Sequence, residues 1–374
     1  MHPATICSYY PNYEILDSIL SQSDYKNLNI YIDMKNVMQS LYLEHAVKFL
    51  VENSKQTKFP DTSIFLSLLM YCAFHKTYAL KRGIKLKIYI FFESGKSYYH
   101  LNIDKNYKIS RTISDLFDLG IESTELYYNV LKKNYSLIEQ SLNRIPNIKV
   151  IRMLNLEADF IPYYLIRNKL VDTSDETAHL VYSTDHDLFQ CIKKNVYVFL
   201  KLKKSKKLLK RGDVFKQYMK FNCNIPDIYL PLAMSVIGDP GDDVTGVRGI
   251  GPKGFVVILD DLKKLIGSVG NLYNNAFNNK PIFDLTKVKL PNKKLRMVID
   301  EEQNNGRISK NLKLTSFELI SRAIDNPNNT EIIKKRQRLY GILNENKIVE
   351  KESMYTALQN VGVMLNDELD ILYY

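Results

Sequence analysis

Short apolar runs alternate with amphipathic stretches through the first two hundred residues. Helical periodicity is clearest at 62–80 and 157–170, and another helix is predicted from residue 35 to about residue 50. The apolar runs predict strands at 28–32, 84–92, 148–153, 179–183 and 196–200. Strands that are apolar on both faces and separated by helices are typical of a parallel sheet covered on both sides, so the pattern predicts an α/β core.

Beyond residue 200 the pattern becomes mainly helical. One apolar helix is predicted at 226–237 and another at 254–266, whereas the Asn-rich stretch 271–279 predicts a loop. Helical periodicity also covers 312–325, 331–343 and 352–365. We expect these last segments to form a helical extension packed on the core.

Acidic residues follow four of the predicted strands. In strand order they are Asp33, Glu93, Glu157 with Asp159, and Asp185 with Asp187. The carboxyl ends of parallel strands meet at one edge of the sheet, which is where α/β proteins form their sites. A single acid there is often only a turn former or a helix cap, but recurrence on four strands favours a shared site.

Carboxylates that converge in this way repel one another and raise one another's pKa unless cations neutralise them. Hard oxygen ligands suit Mg²⁺, with Mn²⁺ as a substitute. Two such ions about 4 Å apart would clamp a scissile phosphate, one activating a water molecule and the other stabilising the leaving oxygen. The acids therefore predict a two-ion site for phosphodiester hydrolysis.

The stretch from Gly238 to Lys253, GDPGDDVTGVRGIGPK, combines two chemical features. Asp239 and Asp242 bracket a Pro-Gly turn that can aim both carboxylates at one point. Gly249 and Gly251 allow close approach of a backbone, and the Pro and Lys253 that follow open a helix whose free N–H groups suit a phosphate. The simpler alternative is a Gly-rich surface loop between two helices.

A basic and aromatic segment follows the second predicted strand. It contains Lys96, and Tyr107, Lys108 and Arg111 fall within about one helical turn. A Tyr that stacks on a base, beside cations that hold a phosphate, would grip single-stranded nucleic acid. A solvated amphipathic helix explains the segment equally well.

A second basic run, residues 201–211, includes Lys203 and Lys204 and predicts a phosphate-contacting loop or hairpin beside the sheet.

Composition adds a charge bias to this picture. The chain has 374 residues, with 52 Lys and Arg against 41 Asp and Glu, giving a formal net charge of +11. That balance favours a polyanionic partner, although a Lys- and Asn-rich proteome would also produce it. Four scattered Cys residues without metal-ligand spacing predict free thiols in a reducing compartment. No signal peptide or membrane-spanning run is visible, so we expect a cytoplasmic protein without a membrane partner.

Taken together, IYIDMKN, FFESGKS with YKISR, LEADF, STDHDLFQ and GDPGDDVTGVRGIGPKG resemble the motifs of the flap endonuclease, or 5′-nuclease, family. The motifs span roughly residues 28–262, and the likeness is greatest to bacteriophage 5′-exonucleases and RNase H-like members. The resemblance implies a PIN-like parallel sheet flanked by helices, a helical arch and a helix–three-turn–helix module. It also implies two divalent metals, with K⁺ in the hairpin, and a phage-encoded monomer of replication or repair.

The same resemblance implies a division of the chain and roles for its residues. The expected parts are an N-terminal extension (1–27), a nuclease core (28–225) with an arch at about 94–126, a duplex-binding module (226–267) and a helical extension (268–374). Lys108 and Arg111 would contact the scissile phosphate and Tyr107 would stack on a base. The implied metal-binding residues are Asp33, Glu93, Glu157, Asp159, Asp185, Asp187, Asp239 and Asp242, and the implied DNA contacts include Lys96, Gly249, Gly251, Lys253, Lys203 and Lys204.

Three positions depart from the family pattern. Glu93 stands where the family usually has Asp, Phe160 where it usually has a second adjacent acid, and Asp243 where it usually has Asn. The chain also lacks a sliding-clamp motif, so no clamp partner is expected.

The expected substrate is DNA with a 5′ flap or 5′ end, or an RNA–DNA hybrid. Two alternatives stay open: a structure-specific DNA-binding protein without turnover, and a PIN-type ribonuclease acting on RNA. The hairpin at 249–253 argues against the second of these.

Overall fold

The structure is a computed structural model, and it describes the following residues: 13–34, 62–93, 97–108, 138–153, 156–183, 185–201, 206–288, 291–326, 339, 342–343, 350–360 and 367–373. The described residues group into two compact units. Unit 1 contains those within Met1–Ser94, Ser114–Lys210 and Gln337–Tyr374, and unit 2 contains those within Gly95–Ile113 and Arg211–Arg336.

Unit 1 is built on a six-stranded sheet with the strand order β3-β2-β1-β4-β5-β6. The strands are β1 (Asn27–Asp33), β2 (Lys85–Phe92), β3 (Ile148–Arg152), β4 (Thr177–Tyr182), β5 (Val196–Lys201) and β6 (Lys206–Leu209). All neighbours pair in parallel except β5 and β6, which form an antiparallel hairpin. The predicted parallel α/β sheet is therefore confirmed, and β6 lies within the basic run 201–211.

The described helices are numbered through both units. They are α1 (Tyr13–Leu20), α2 (Thr62–Arg82), α3 (Tyr98–Ile103), α4 (Phe160–Arg167), α5 (Val214–Met219), α6 (Leu230–Ile237), α7 (Pro252–Ile266), α8 (Val269–Phe277), α9 (Lys293–Asn305), α10 (Arg307–Thr315), α11 (Phe317–Ile324), α12 (Lys351–Asn360) and α13 (Asp367–Asp370). Two-residue strands β7 (Gly238–Asp239) and β8 (Val244–Thr245) pair in antiparallel fashion in unit 2.

Side chains of β1 alternate between the two faces of the sheet, as the strand period of two requires. Ile30 and Ile32 join the main apolar core, to which α2 adds Leu68 and Leu69. On the opposite face, Tyr31 stacks on Tyr89 of β2 with ring centroids 5.2 Å apart. Both faces of β1 are thus buried, as expected for a central strand of a parallel sheet covered on both sides.

The last two helices complete the core of unit 1. Met354 and Leu358 of α12, with Leu369 and Leu372 at α13, are buried in the same cluster as α2. The Lys76 ammonium of α2 donates a hydrogen bond to the Leu372 carbonyl.

Unit 2 is held together by the packing of α6 against α10. Asn311 on α10 donates from its amide to the Ser235 carbonyl at 2.8 Å and to the Thr245 carbonyl at 2.9 Å. One buried side chain thereby satisfies backbone acceptors on α6 and on β8.

This grouping differs from the division expected from the sequence. Residues 97–108, expected to belong to an arch of the core, join unit 2, while α12 and α13 join unit 1 rather than an extension. The contacts of α3 with α10 explain the first difference.

The Asn-rich stretch predicted as a loop is instead helix α8. The hydroxyl of Ser268 accepts a hydrogen bond from the Asn271 N–H at 3.0 Å and caps the first turn. Leu272 and Ala276, four residues apart, are buried on one face. The apolar spacing and the cap outweigh the poor helix propensity of Asn.

Three other predicted helices are broken in the structure or lie wholly or mostly outside its described residues. The helix predicted at 312–325 is broken at Ser316, whose hydroxyl accepts from the Leu319 N–H at 3.4 Å and so begins α11. The helix predicted at 35–50 lies outside the described residues, as does most of 331–343.

No helix in the described part of the chain is long and apolar enough to cross a membrane.

We predict that the buried ring of His75 makes unit 1 acid-sensitive. The ring is fully buried and its Nε2 lies 2.9 Å from the Tyr182 hydroxyl, and burial lowers the pKa of His75 to about 3. Between pH 7 and 5 the unfolded chain binds a proton at this position that the folded chain excludes, so stability falls as pH falls. Between pH 7 and pH 5, we expect the unfolding free energy of the wild type to fall by roughly 2 kcal/mol more than that of His75→Gln.

Urea unfolding at each pH measures the difference. His186→Gln, at a half-buried ring, is the control. A pH-independent difference between wild type and His75→Gln would contradict the prediction.

Candidate functional site

The carboxyl ends of the central strands of unit 1 are level with one another. The register pairs Asp33 with Phe91, Ile32 with Tyr182, and Phe92 with Arg152. Strand order places β1 between β2 and β4, so the chain departs in opposite directions on the two sides of β1. This is the topological switch point at which open α/β sheets form ligand crevices.

The acids expected at this edge are largely buried. Asp33 is 7% exposed, Glu157 and Asp159 are 9% exposed and Asp187 is 6% exposed. Glu93 and Asp185 are half-buried. Burial of ionised carboxylates is costly unless cations or hydrogen bonds compensate, so their presence at one edge needs a specific cause.

The two acids after β4 have different local roles. The hydroxyl of Ser183 accepts from the Asp185 N–H at 2.7 Å, and Asp185 Oδ1 accepts from the Asp187 N–H at 3.1 Å. Asp185 therefore shapes the turn that leads into a 3₁₀ turn at Asp187–Cys191. Asp185 is thus a turn former, as the simpler interpretation of such acids predicts. The turn that it stabilises places Asp187 in a buried position.

Asp159 lies close to this 3₁₀ turn. Helix α4, which Asp159 precedes, packs against it. Burial raises the pKa of the Cys191 thiol, and the charge of Asp159 raises it further. The start of α4, after β3, and the 3₁₀ turn, after β4, therefore pack together.

Phe160 is a core residue. Its ring is 1% exposed and lies 5.6 Å from the ring of Tyr164. This position supplies no oxygen ligand, as its departure from the family pattern indicated.

The donors at this edge have the chemistry of a divalent-cation site, since carboxylate oxygens are the preferred ligands of Mg²⁺ and Mn²⁺. Within the described ranges, however, no group of three or more His, Cys, Asp or Glu side chains is arranged so that it could hold a metal ion. The predicted metal-binding roles therefore stay predictions.

In unit 2, the Pro-Gly turn lies between β7 and β8. Asp239 Oδ1 accepts from the Gly241 N–H at 2.9 Å, so this carboxylate caps the turn. Asp242 is 4% exposed. Asp243 follows with a positive φ of 59°, a conformation that Asn adopts more readily than most residues and that Asp also tolerates.

Two glycines beside this turn were not singled out from the sequence. A Cβ on Gly246 would lie 2.0 Å from the Ile237 carbonyl oxygen, and one on Gly238 would lie 2.4 Å from the Gly246 nitrogen. The two backbones cross here with no room for a side chain, and this crossing fixes where β7 begins. The sequence signal was the spacing of eight residues between two glycines that flank the acids.

The ring of Tyr107 is buried, whereas its expected role as a base-stacking residue needs an accessible ring, so that role stays a prediction. The side chain is 7% exposed, its hydroxyl donates to Asp242 Oδ2 at 2.9 Å, and its ring stacks on His100 with centroids 4.4 Å apart. Lys108 is also drawn to Asp242, with Nζ 3.2 Å from Oδ2. Asp242, which is distant in sequence, and His100, seven residues before Tyr107, are therefore the partners of this side chain.

The hairpin before α7 has the local structure predicted for it. Gly249 has a positive φ of 82°, and Gly251 precedes Pro252 at the first helical position without a side-chain cap. Gly249, Gly251 and Lys253 are exposed. A Cβ on Gly251 would meet nothing within 4 Å, so the N-terminal turn of α7 is open to a ligand.

Four expected contact residues lie outside the described residues: Lys96, Arg111, Lys203 and Lys204.

Comparison with known proteins places these observations in a family context. No family model matches the chain. A 5′-3′ exonuclease of Mycoplasma genitalium is 28% identical over 192 residues, covering 48% of this chain and 57% of that protein. A 5′-3′ exonuclease of Aquifex aeolicus is 31% identical over 145 residues, covering 39% of this chain and 45% of that protein. The chain thus spans about half the length of the curated relatives it matches.

The bacteriophage T5 flap endonuclease, solved in a complex with DNA and metal ions, superposes with a TM-score of 0.56. The alignment covers 85% of this chain and 100% of that chain at 16% identity, which is a likeness of fold. The resemblance to the 5′-nuclease family is confirmed. The mostly parallel sheet of unit 1 has the fold that this resemblance implies, and α6 and α7 flank the segment that contains the expected hairpin.

We predict that the glycine crossing is essential to the fold of unit 2. Gly246→Ala forces a Cβ into the Ile237 carbonyl and should cost more than about 3 kcal/mol of unfolding free energy. Gly251→Ala, with open space around its Cβ, should cost less than about 1 kcal/mol. Chemical denaturation of both variants tests this, and equal stabilities would refute the crossing as a constraint.

Proposed function

We propose that this chain is a metal-dependent, structure-specific 5′ nuclease that hydrolyses phosphodiester bonds in DNA. One observation carries the proposal: four carboxylates at the carboxyl edge of the sheet, Asp33, Glu157, Asp159 and Asp187, are each at most 9% exposed. Burying so many acids at one edge serves no packing purpose, whereas cation binding would repay the cost. Sequence relatives named 5′-3′ exonuclease support the same activity.

The proposed ligands are those four acids, with Glu93, Asp185, Asp239 and Asp242 as further candidates. Bound divalent ions would supply an activated water molecule and stabilise the leaving oxygen. Carboxylates of the chain would hold the ions and exclude competing ligands. Mg²⁺ is the proposed physiological ion and Mn²⁺ its substitute, and K⁺ at the hairpin is part of the proposal.

Unit 2 would supply the grip on DNA. The first turn of α7, which includes the exposed Lys253, has N–H groups without a side-chain cap, and these suit a phosphate of the duplex backbone. Lys108 is the residue proposed to contact the scissile phosphate, together with Arg111. The proposed substrate is DNA with a 5′ flap or 5′ end, an RNA–DNA hybrid being a further candidate, and the proposed setting is replication or repair by a monomer.

A specific observation also favours a second candidate function, that of a DNA-binding protein without turnover. Phe160, fully buried at the start of α4, occupies a position where a carboxylate would add a ligand. Such a protein would bind flap DNA tightly with or without Mg²⁺ and would leave it uncut.

Removal of the carboxylates should abolish cleavage. We expect Asp185→Asn and Asp242→Asn to slow Mg²⁺-dependent cleavage of a 5′-flap substrate by more than about 100-fold, because each change removes a negative oxygen from the proposed ion site. Asp260→Asn, at an exposed acid of α7 paired with Lys263, should cut at the wild-type rate. Wild-type rates in both site variants would show the metal assignment to be wrong, and an inactive wild type would favour the second candidate.

Duplex binding should depend on the start of α7. We expect Lys253→Ala to weaken binding of duplex DNA several-fold and to reduce the salt slope by about 1, since it removes one phosphate contact. The matched control is Lys264→Ala near the other end of the helix, where the lysine pairs with Asp261. Fluorescence anisotropy over a salt series gives both quantities, and identical slopes for the two variants would exclude this interface.

A further inference from the structure

Four side chains of unit 2 form a cluster centred on the carboxylate of Asp242. The Asp242 cluster consists of Asp242, Tyr107, Lys108 and His100. Asp242 Oδ2 accepts from the Tyr107 hydroxyl at 2.9 Å and lies 3.2 Å from Lys108 Nζ. The side chain of Asp242 is only 5% exposed and that of Lys108 18%, so both contacts are poorly screened by water.

His100 fixes the ring of Tyr107. Its Nε2 lies 3.0 Å from the Leu314 carbonyl, which only accepts, so Nε2 carries a proton and donates. Its Nδ1 lies 2.6 Å from the hydroxyl of Ser97. The imidazole is thus held from both sides, and its face lies against Tyr107 at an interplanar angle of 9°.

The backbone at Lys108 is shaped to make these contacts. Its φ of 54° lies in the left-handed region, which costs a long side chain of the order of 1 kcal/mol. The Lys108 N–H donates to the Asp242 carbonyl at 3.3 Å, and Nζ lies 5.0 Å from the centre of the Tyr107 ring. The main chain and the side chain of Lys108 therefore both contact Asp242, and the side chain also contacts the ring of Tyr107.

A second attachment lies one turn away. Asp104, which ends α3, forms an ion pair with Lys310 of α10 at 2.6 Å. With the His100–Leu314 contact, it ties the segment 97–108 to α10 as well as to the acid-bearing turn.

We propose that Tyr107 is a positioning residue that orients Asp242 and Lys108, and that it does not stack on a base. The inference rests on the proposed nuclease function, because Asp242 and Lys108 are then groups that act on the substrate. The hydroxyl of Tyr107 holds one carboxylate oxygen of Asp242, while the ring, held on His100, guides Lys108 to the same oxygen. His100 serves the same purpose one step further from the reaction.

Removal of a single oxygen atom separates positioning from stacking. Tyr107→Phe keeps the aromatic face and loses only the hydroxyl, so a stacking residue would tolerate it fully. A positioning residue would not. We expect kcat for flap cleavage to fall about 10- to 100-fold with KM unchanged, and flap-DNA affinity in EDTA to stay at the wild-type value.

Tyr98→Phe is the matched control, because it removes a hydroxyl from the same segment at a side chain that is 64% exposed. It should cleave as wild type does. Tyr107→Leu, which also removes the ring, should lower kcat without lowering DNA affinity in EDTA. If Tyr107→Phe cleaves normally while Tyr107→Leu loses DNA affinity, the stacking role is right and the proposal is overturned.

A measurement without substrate tests the contact independently of nuclease activity. In a double-mutant cycle of Tyr107→Phe and Asp242→Ala, we expect the coupling to change the unfolding equilibrium constant by about tenfold or more. A coupling near onefold would overturn the proposal even if the wild type cuts DNA. An uncut flap combined with strong coupling would instead reject the proposed function while showing that the Tyr107 hydroxyl holds Asp242, so the two failures are distinguishable.

Discussion

Buried negative charge is the constraint on which the arrangement of this molecule depends. Four carboxylates stand at one edge of the unit 1 sheet with little access to water, and a fifth, Asp242, is buried in unit 2. Each must be compensated in the folded state, by hydrogen bonds or by positive charge. For Asp242 the compensation is visible as a tyrosine hydroxyl and a lysine ammonium. At the sheet edge, the oxygen donors suit a cation brought in from solution.

This constraint explains why the strands and turns have the sequences they have. β1 is buried on both faces up to Ile32 and then ends on Asp33, so the same strand that builds the core places a carboxylate at the edge of the sheet. The Asp185–Asp187 spacing uses one acid to form a turn and directs the other inward. The crossing of Gly238 and Gly246 performs the corresponding task for the turn that carries Asp242.

The sheet and the acids at its edge were predictable because their signals are local. A run of five or six apolar residues that ends in an acid needs no distant partner to be recognised. The helix at 269–277 was missed because an Asn-rich composition concealed the pairing of Leu272 with Ala276. The burial of Tyr107 could not be predicted because its partner, Asp242, is 135 residues away in the chain. No periodicity encodes such a contact, and spacing alone cannot distinguish an exposed aromatic ring from a buried one.

The order of the chain through the two units has a consequence for how the protein is made. Unit 1 is begun by the first strands, is interrupted by both segments of unit 2, and receives α12 and α13 last. The partners of Leu68 and Leu69 in the core include Met354, Leu358 and Leu372, which are synthesised last. The Leu372 carbonyl, which accepts from Lys76, is also made at that late stage. A ribosome therefore releases most of the sheet before its final cover exists. The described residues of unit 2, which run from 211 to 326 apart from the segment 97–108, are all synthesised earlier. Unit 2 can therefore form before unit 1 receives its last two helices.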